Sequence, residues 1–310
     1  MKALVLERNK MVSRRLQRYF LAAGIDTVLV EDPKDVASNL VGVHLLAADT
    51  FDGDLVSSTV RANAGMRGLL WTAEPLKRSV RLMVENPAIS NVLGRKDFES
   101  TPRPWELMLI LRRLVDPTQS ARIDAYLDWG FLGYQEKVAS TAARDQSVAN
   151  IQGFINKLQV PKRIAEMFGE LAHEMLMNAM YDAPVDASGK PKYALDRKAD
   201  LTLPDAEQPT LKMATDGSKL VLQVKDPFGR LQRKHVFDGL ARGLSQGEMD
   251  TSHGGAGLGM MVCHNSTAAM FFDVVAGKHT EVTGVFELDL NLREFRTQAK
   301  SLHFFSAPGS

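Results

Sequence analysis

Five times in the first 116 residues a short apolar run is followed by a stretch of helical periodicity, and this alternation constrains the fold more than any other feature. "KALVLE", "DTVLV", "VHLLAAD", "RGLLWT" and "ISNVLG" read as buried strands. Between and after them, "MVSRRLQRYFLAAG", "PKDVASNL", "DLVSSTVRANAG", "PLKRSVRLMVE" and "PWELMLILRRLV" read as helices, the first stopped by Gly24. Strands alternating with helices predict a doubly wound parallel sheet, with any site at the C-terminal ends of the strands.

The order and length of these elements resemble the receiver domain of response regulators. Asp49 ends the third run, where that family places its phosphoacceptor. Thr72 ends the fourth, where the family has its switch hydroxyl, and Lys96 follows the fifth, at the place of the phosphate-contacting lysine. The pattern departs after the first strand: a working receiver has an acidic pair there for Mg²⁺, whereas "LERNK" offers Glu7 followed at once by Arg8. One carboxylate beside a fixed cation makes a poor magnesium site. Asp97 replaces the proline that usually follows the lysine. The expectation is a degenerate receiver, residues 1–116, used as a docking surface, with Asp49 a strand-end turn residue.

Residues 117–147 carry Ile123, Leu127, Phe131, Tyr134 and Val138 at helical spacing, with Gly130 and Gly133 weakening the pattern. They are expected as a helical linker. Packing on one domain, a homodimer seam and a signal-transmitting helix are all open to it.

From residue 148 the pattern changes. "SVANIQGFINKL" places Val148, Ile151, Ile155 and Leu158 on one stripe, and Pro161 opens a second, longer helix. That helix contains "ELAHEMLMNAMYDAP", in which Glu170, Glu174, Asn178 and Asp182 recur every fourth residue while Leu171, Met175 and Ala179 face the core. Strands "TLKMAT" and "KLVLQV" follow, the second entering "KDPFGRL". A lid-like stretch, "QRKHVFDGLARGLSQGEMDTSH", leads to "GGAGLGMMV", a Gly-rich turn opening a helix, where backbone N–H groups suit a phosphate. The chain finishes on "MFFDVVAG" and "EVTGVFELDL". Taken singly, the Gly-rich turn, the Asp–Gly turn and the acidic column are each common in proteins that bind nothing there.

In this order they resemble the Bergerat-fold (GHKL) ATP-binding domain of gyrases, histidine kinases, mismatch-repair ATPases and anti-sigma-factor kinases, the match covering roughly residues 148–295 of an expected domain of residues 148–310. The resemblance implies an α/β two-layer sandwich that takes ATP or ADP with Mg²⁺. Glu174 and Asn178 in "EMLMNA" match the E-x-x-x-N-A box, which implies a general base at Glu174 and a Mg²⁺ ligand at Asn178, with Asp182 where many members have histidine. Asp226 matches the adenine-reading aspartate, and Gly229 stands one place beyond the usual glycine, a position held here by Phe228. Gly255, Gly257, Leu258 and Gly259 match the second glycine box; Thr280 matches the threonine near adenine, with Thr283 as its substitute. His279 replaces a usual glycine.

Composition narrows the classes. A net charge of +1 gives no basis for binding nucleic acid or a membrane surface. The single cysteine, Cys263, fits a reducing compartment, and the charged N-terminus has no signal-peptide core, so a cytoplasmic protein is expected. Of the seven histidines only His44 precedes residue 148, which disfavours a histidine kinase with its phosphoacceptor upstream of the ATP domain. The reading reached from sequence is an ATP-binding signalling protein with protein partners, a serine/threonine kinase or slow ATPase of the anti-sigma-factor-kinase kind. A non-catalytic, nucleotide-gated scaffold is the alternative. A phosphorylatable response regulator with an ATP-binding output domain is a weaker third.

Overall fold

The computed structural model describes residues 1–117, 121–246, 258–289 and 291–308, and the chain is mixed α/β. It divides into two compact units, one of Met1–Ala121 with Arg293–Phe304, the other of Arg122–Leu292 with Phe305–Ser310.

In the first unit, strands β1 (Lys2–Leu6), β2 (Asp26–Val30), β3 (Leu45–Asp49), β4 (Arg67–Thr72) and β5 (Ile89–Gly94) pair in parallel in the order β2-β1-β3-β4-β5. This is the doubly wound order with its switch point between β1 and β3, so the unit is receiver-like in topology. β1 and β3 are almost continuously buried, as a sheet covered on both faces requires. Helices α1 (Lys10–Ala22) and α4 (Pro104–Val115) pack together, as do α2 (Gly53–Ala62) and α3 (Leu76–Glu85). The expected helix at "PKDVASNL" is instead two 3₁₀ turns, Pro33–Asp35 and Ala37–Asn39. Ser38 Oγ and Asn39 Nδ2 both donate to the Asp35 carbonyl, at 3.0 and 2.8 Å, and so compete with an α-helical ladder.

One more strand belongs here that the sequence reading missed. Ser301–Ala307 forms a strand (β11) whose first residues run antiparallel to β5, with Leu302 opposite Val92 and His303 opposite Asn91. Gly94 passes so close to the Ala299 carbonyl that a Cβ would overlap it.

The second unit is an antiparallel sheet of β6 (Leu132–Lys137), β7 (Thr210–Thr215), β8 (Lys219–Asp226), β9 (Ala269–Val275) and β10 (His279–Glu287), ordered β9-β10-β8-β7-β6. Helices α5 (Thr141–Asn156), α6 (Lys162–Met177) and α8 (Leu258–Asn265) cover one face: Phe168 meets Phe286 edge-on at 6.0 Å, and Gly284 leaves room for Leu171. On the other face Tyr126 packs on Phe271 at 4.9 Å, and Lys219 Nζ reaches Asp128 at 2.6 Å.

Of residues 117–147, expected as a helical linker, the described stretch 121–147 holds one 3₁₀ turn (Ile123–Tyr126), strand β6 and the start of α5. Pairing with β7 outweighs a helical spacing that Gly130 and Gly133 already weaken. Within the stretch expected as a lid, Arg233–Gln246 is a helix (α7) with Val236, Phe237 and Leu240 buried. No described helix is long and apolar enough to cross a membrane.

Candidate functional site

In the second unit α6 runs to Met177 and passes into a single π-helical turn, Asn178–Asp182, closed by Ala183 N–H donating to Asn178 O at 3.0 Å. Such a turn inserts one residue into the helix and is frequent at functional sites. Leu171, Met175 and Ala179 are buried in the core. Glu170 is exposed and lies 3.7 Å from Arg163.

Glu174 is half-buried and has no hydrogen-bond donor or ion-pair partner among the described residues. Gly259, at the start of α8, stands directly against it, and a Cβ there would fall on Glu174 Oε2. A cavity of about 350 Å³ lies between α5, α6 and α8, lined by Val148, Gln152, Glu170, His173, Glu174 and Val262. His173 lines this cavity too, which includes none of Asn178, Asp226, Gly229 and Thr280. Burial and the nearby Arg144 guanidinium push the His173 imidazole pKa down, against the pull of Glu174 and Asp145.

One turn on, Asn178 Oδ1 accepts a 3.3 Å hydrogen bond from Arg197, whose guanidinium also lies 3.6 Å from Asp182. Burial raises the Asp182 carboxyl, against the pull of Arg197. Arg197 sits in the polar stretch between α6 and β7. Nothing in the sequence singled it out, since it carries no motif and comes to Asn178 only through the path of that stretch.

At the end of β8, Asp226 is buried, and its Oδ1 accepts from the N–H groups of Phe228 (2.9 Å) and Gly229 (3.4 Å). Burial pushes its carboxyl up, while those two N–H groups and Thr280 pull it down. Gly229 has φ +63° and passes so close to the Val275 carbonyl that no other residue fits. The turn therefore tolerates Phe228 because Gly229 supplies the conformation one place later.

Asp226 pairs directly with Thr280 in the β8–β10 register, and both are buried. Thr283 lies three residues further along β10 and so faces the opposite side of the sheet. There its hydroxyl accepts from Gln223 Nε2 at 3.0 Å, which removes it as a substitute for Thr280. Leu258 and Gly259 begin α8, whereas Gly255 and Gly257 lie outside the described residues.

The strand ends of the first unit form a separate cluster. Asp49 is buried, its Oδ1 accepts from Phe51 N–H at 2.7 Å, and its Oδ2 lies 2.7 Å from Arg95 Nη2. Arg95 also reaches Glu7 at 3.1 Å, while Arg8 pairs with Asp52. Burial raises the Asp49 carboxyl, opposed by Phe51 N–H and Arg95. Thr72 is buried with its hydroxyl 2.8 Å from Thr50 Oγ1 and 2.9 Å from Glu74 N.

Lys96, expected as the inward cation, is exposed; the neighbouring Arg95 takes the inner place and is 3% exposed. Strand alternation decides between two adjacent basic residues, and the sequence alone left the phase at the end of β5 unread. Two guanidiniums thus neutralise the carboxylates where a receiver would bring a divalent ion. Among the described residues no group of three or more His, Cys, Asp or Glu is placed to hold a metal.

No protein-family model matches the chain, and no curated protein matches it. Similar solved structures include the receiver domain of a Francisella response regulator, at 17% identity and TM-score 0.32, covering 38% of this chain and 98% of that one. The receiver domain of an HD-domain protein from Pseudomonas fluorescens Pf-5 matches at 17% identity and TM-score 0.33, over 37% of this chain and 94% of that one. A CheY-like receiver domain protein from Methanospirillum hungatei matches at 13% identity and TM-score 0.32, over 37% and 94%.

Proposed function

We propose that the second unit binds ATP or ADP with Mg²⁺ in the manner of the Bergerat-fold proteins. On this reading the chain is a signalling protein with serine/threonine kinase or slow ATPase activity, and its first unit is a receiver-like docking surface that takes no phosphate. The observation that carries the reading is Glu174: a half-buried carboxylate without a partner among the described residues, abutted by Gly259 and one turn from Asn178. The donor set fits the group. Asn178 offers a carboxamide oxygen, Asp226 a buried carboxylate at a strand end, and Gly229 and Gly259 hold the backbone where a Cβ would collide. Bound there, the Mg²⁺-nucleotide supplies an electrophilic terminal phosphate. Asp226 would read the adenine amine, Asn178 would ligate the ion, and Glu174 Oε2 would take the proton from an attacking hydroxyl or water.

Arg197 favours the scaffold as a second reading, because its guanidinium holds Asn178 Oδ1 and must leave before an ion can approach. Glu174→Ala separates the two. For a catalyst it lowers turnover or phosphotransfer by about 10²- to 10⁴-fold with nucleotide affinity nearly intact. Asn178→Ala should abolish the Mg²⁺ dependence of binding. Isothermal titration with ATP and ADP, with and without Mg²⁺, reads both; wild-type protein that binds no adenine nucleotide at millimolar concentration refutes the assignment. Nucleotide binding without consumption above a protein-free blank leaves the scaffold.

A further inference from the structure

Arg197 stands at the candidate site with loose contacts only. Its Nη2 donates to Asn178 Oδ1 at 3.3 Å and lies 3.6 Å from Asp182 Oδ2. A guanidinium settled on an oxyanion comes within about 2.7–2.9 Å. Its Nε is shielded from water and donates to nothing among the described residues. Arg95 in the first unit makes the contrast: its Nε is unmet too, but its charge is answered by Asp49 at 2.7 Å and Glu7 at 3.1 Å. The Arg197 side chain is 38% exposed, so part of it is open to an incoming group.

The backbone that carries this side chain is tied to the π-helical turn. Asp196 N–H donates to Tyr193 O at 3.1 Å and Lys198 N–H to Asp196 Oδ1 at 3.2 Å, which closes a tight turn around Arg197. Two residues on, Ala199 O accepts from the Tyr181 hydroxyl at 2.7 Å, and Tyr181 belongs to the turn Asn178–Asp182 itself. Leu201 N–H then donates to Thr141 Oγ1 at 2.8 Å, at the start of α5. The chain thus brings a cation to Asn178 from 19 residues away, with a fixed base and a loosely held head.

We propose that Arg197 grips the nucleotide phosphates, its guanidinium exchanging Asn178 Oδ1 for phosphate oxygens and so freeing the carboxamide. The inference rests on the adenine-nucleotide reading of this site. A planar fork of donors fits a phosphate, which takes two parallel N–H bonds, better than a single carboxamide oxygen. Asp182 is a weak competitor: at 3.6 Å it makes no hydrogen bond to the guanidinium, and burial disfavours its charged form. Position decides which phosphates are held. Glu174 precedes Asn178 by four residues and Asp182 follows it by four, so they lie on opposite sides of Asn178 along the helix. With Glu174 at the terminal phosphate, Arg197, on the Asp182 side, reaches the inner phosphates that ATP and ADP share.

The test is calorimetric titration of ATP, ADP and adenosine, with Mg²⁺, into full-length wild type, Arg197→Ala and Arg197→Lys. Arg197→Ala should weaken ATP and ADP alike by about 10- to 100-fold and leave adenosine binding unchanged. Arg197→Lys keeps the charge without the fork and should recover part of the loss. Should the alanine variant fail to fold, Arg197→Lys decides, by a smaller loss shared equally by ATP and ADP. Variants that bind ATP and ADP as the wild type does overturn the proposal and leave the nucleotide reading standing. A loss confined to ATP overturns it as well, since the residue would then hold the terminal phosphate. So does an equal loss for adenosine, or a lysine variant no better than alanine, either of which would make the role structural. Wild-type protein that binds no adenine nucleotide overturns the reading and the proposal together.

Discussion

Burial raises the Asp226 carboxyl above its ordinary range, against the N–H groups of Phe228 and Gly229 that hold it down. With the folded value above the unfolded one, the native state binds more protons between the two, so stability falls as pH rises through that window. At neutral pH the ionised form is therefore a cost to the fold that adenine recognition would justify. Asp226→Asn keeps an oxygen for both N–H groups and removes the charge. It should melt higher than wild type at pH 7 and show a flatter stability profile on the acid side, while weakening adenine-nucleotide binding by about 1.5–3 kcal/mol. Melting from pH 4 to 7 and titration with ADP read the two effects; an unchanged affinity would remove Asp226 from the site. Arg95 poses the opposite problem, because it is the cation for two buried carboxylates. Arg95→Ala should destabilise the protein by about 3–5 kcal/mol, since Glu7 and Asp49 lose their buried ion-pair partner. Added Mg²⁺ should then raise the melting temperature of the variant and not that of the wild type. An equal Mg²⁺ response in both would mean that the guanidinium does not stand in for an ion.

β11 is held to the first unit by side chains as well as by its pairing with β5. His303 Nε2 lies 2.7 Å from Glu106 and its Nδ1 3.2 Å from Asn91 Oδ1, all three buried. Arg103 reaches Glu106 at 3.2 Å and Ser301 Oγ at 3.3 Å, and Ser301 Oγ accepts from Gly94 N–H at 2.7 Å. Burial pushes the Glu106 carboxyl up, but His303 and Arg103 outweigh it and hold it ionised. His303→Ala should cost about 1.5–3 kcal/mol by leaving the buried Glu106 carboxylate without its imidazole partner, read as a lower urea midpoint at unchanged slope. A neutral outcome would make this network incidental.

The same element shows what sequence reading can reach. β2, β4, β5, α4 and β7 fall where local periodicity predicts them, because each is bounded by turn residues and its burial pattern is set by neighbours in sequence. β11 has no such signature: His303 meets Asn91 across 212 residues of chain, and the strand's polar residues find their partners only in the fold. β6 misled for the converse reason, since five apolar positions at helical spacing also fit a turn followed by a strand. At the candidate site, Glu174, Asn178 and Asp226 are singled out by a spaced motif. Arg197 and Arg95 are not, because charge placed by a loop or by strand phase leaves no pattern in the chain.

At the scale of the molecule, the chain builds most of the first unit, leaves it at Ala121, forms the second, and returns for residues 293–304. The first unit is therefore discontinuous, and its β5 edge is completed by a strand synthesised only after the second unit. Until then Gly94, Arg103 and Glu106 lack the partners that Ala299–His303 provide, and β5 presents unpaired main-chain groups of the kind that recruit other strands. A fragment of residues 1–121 should accordingly be less stable than the first unit in the full chain, and prone to associate. A peptide of residues 292–308 added in trans should bind it and raise its melting temperature, because binding to the folded state alone stabilises by mass action. The same peptide carrying His303→Ala should bind at least about tenfold more weakly if the buried network contributes about 1.5 kcal/mol or more. Denaturation of the fragment with each peptide, beside the full chain, measures this directly. A fragment that melts where the full chain's first unit does, indifferent to the peptide, would show that the receiver-like fold closes without β11.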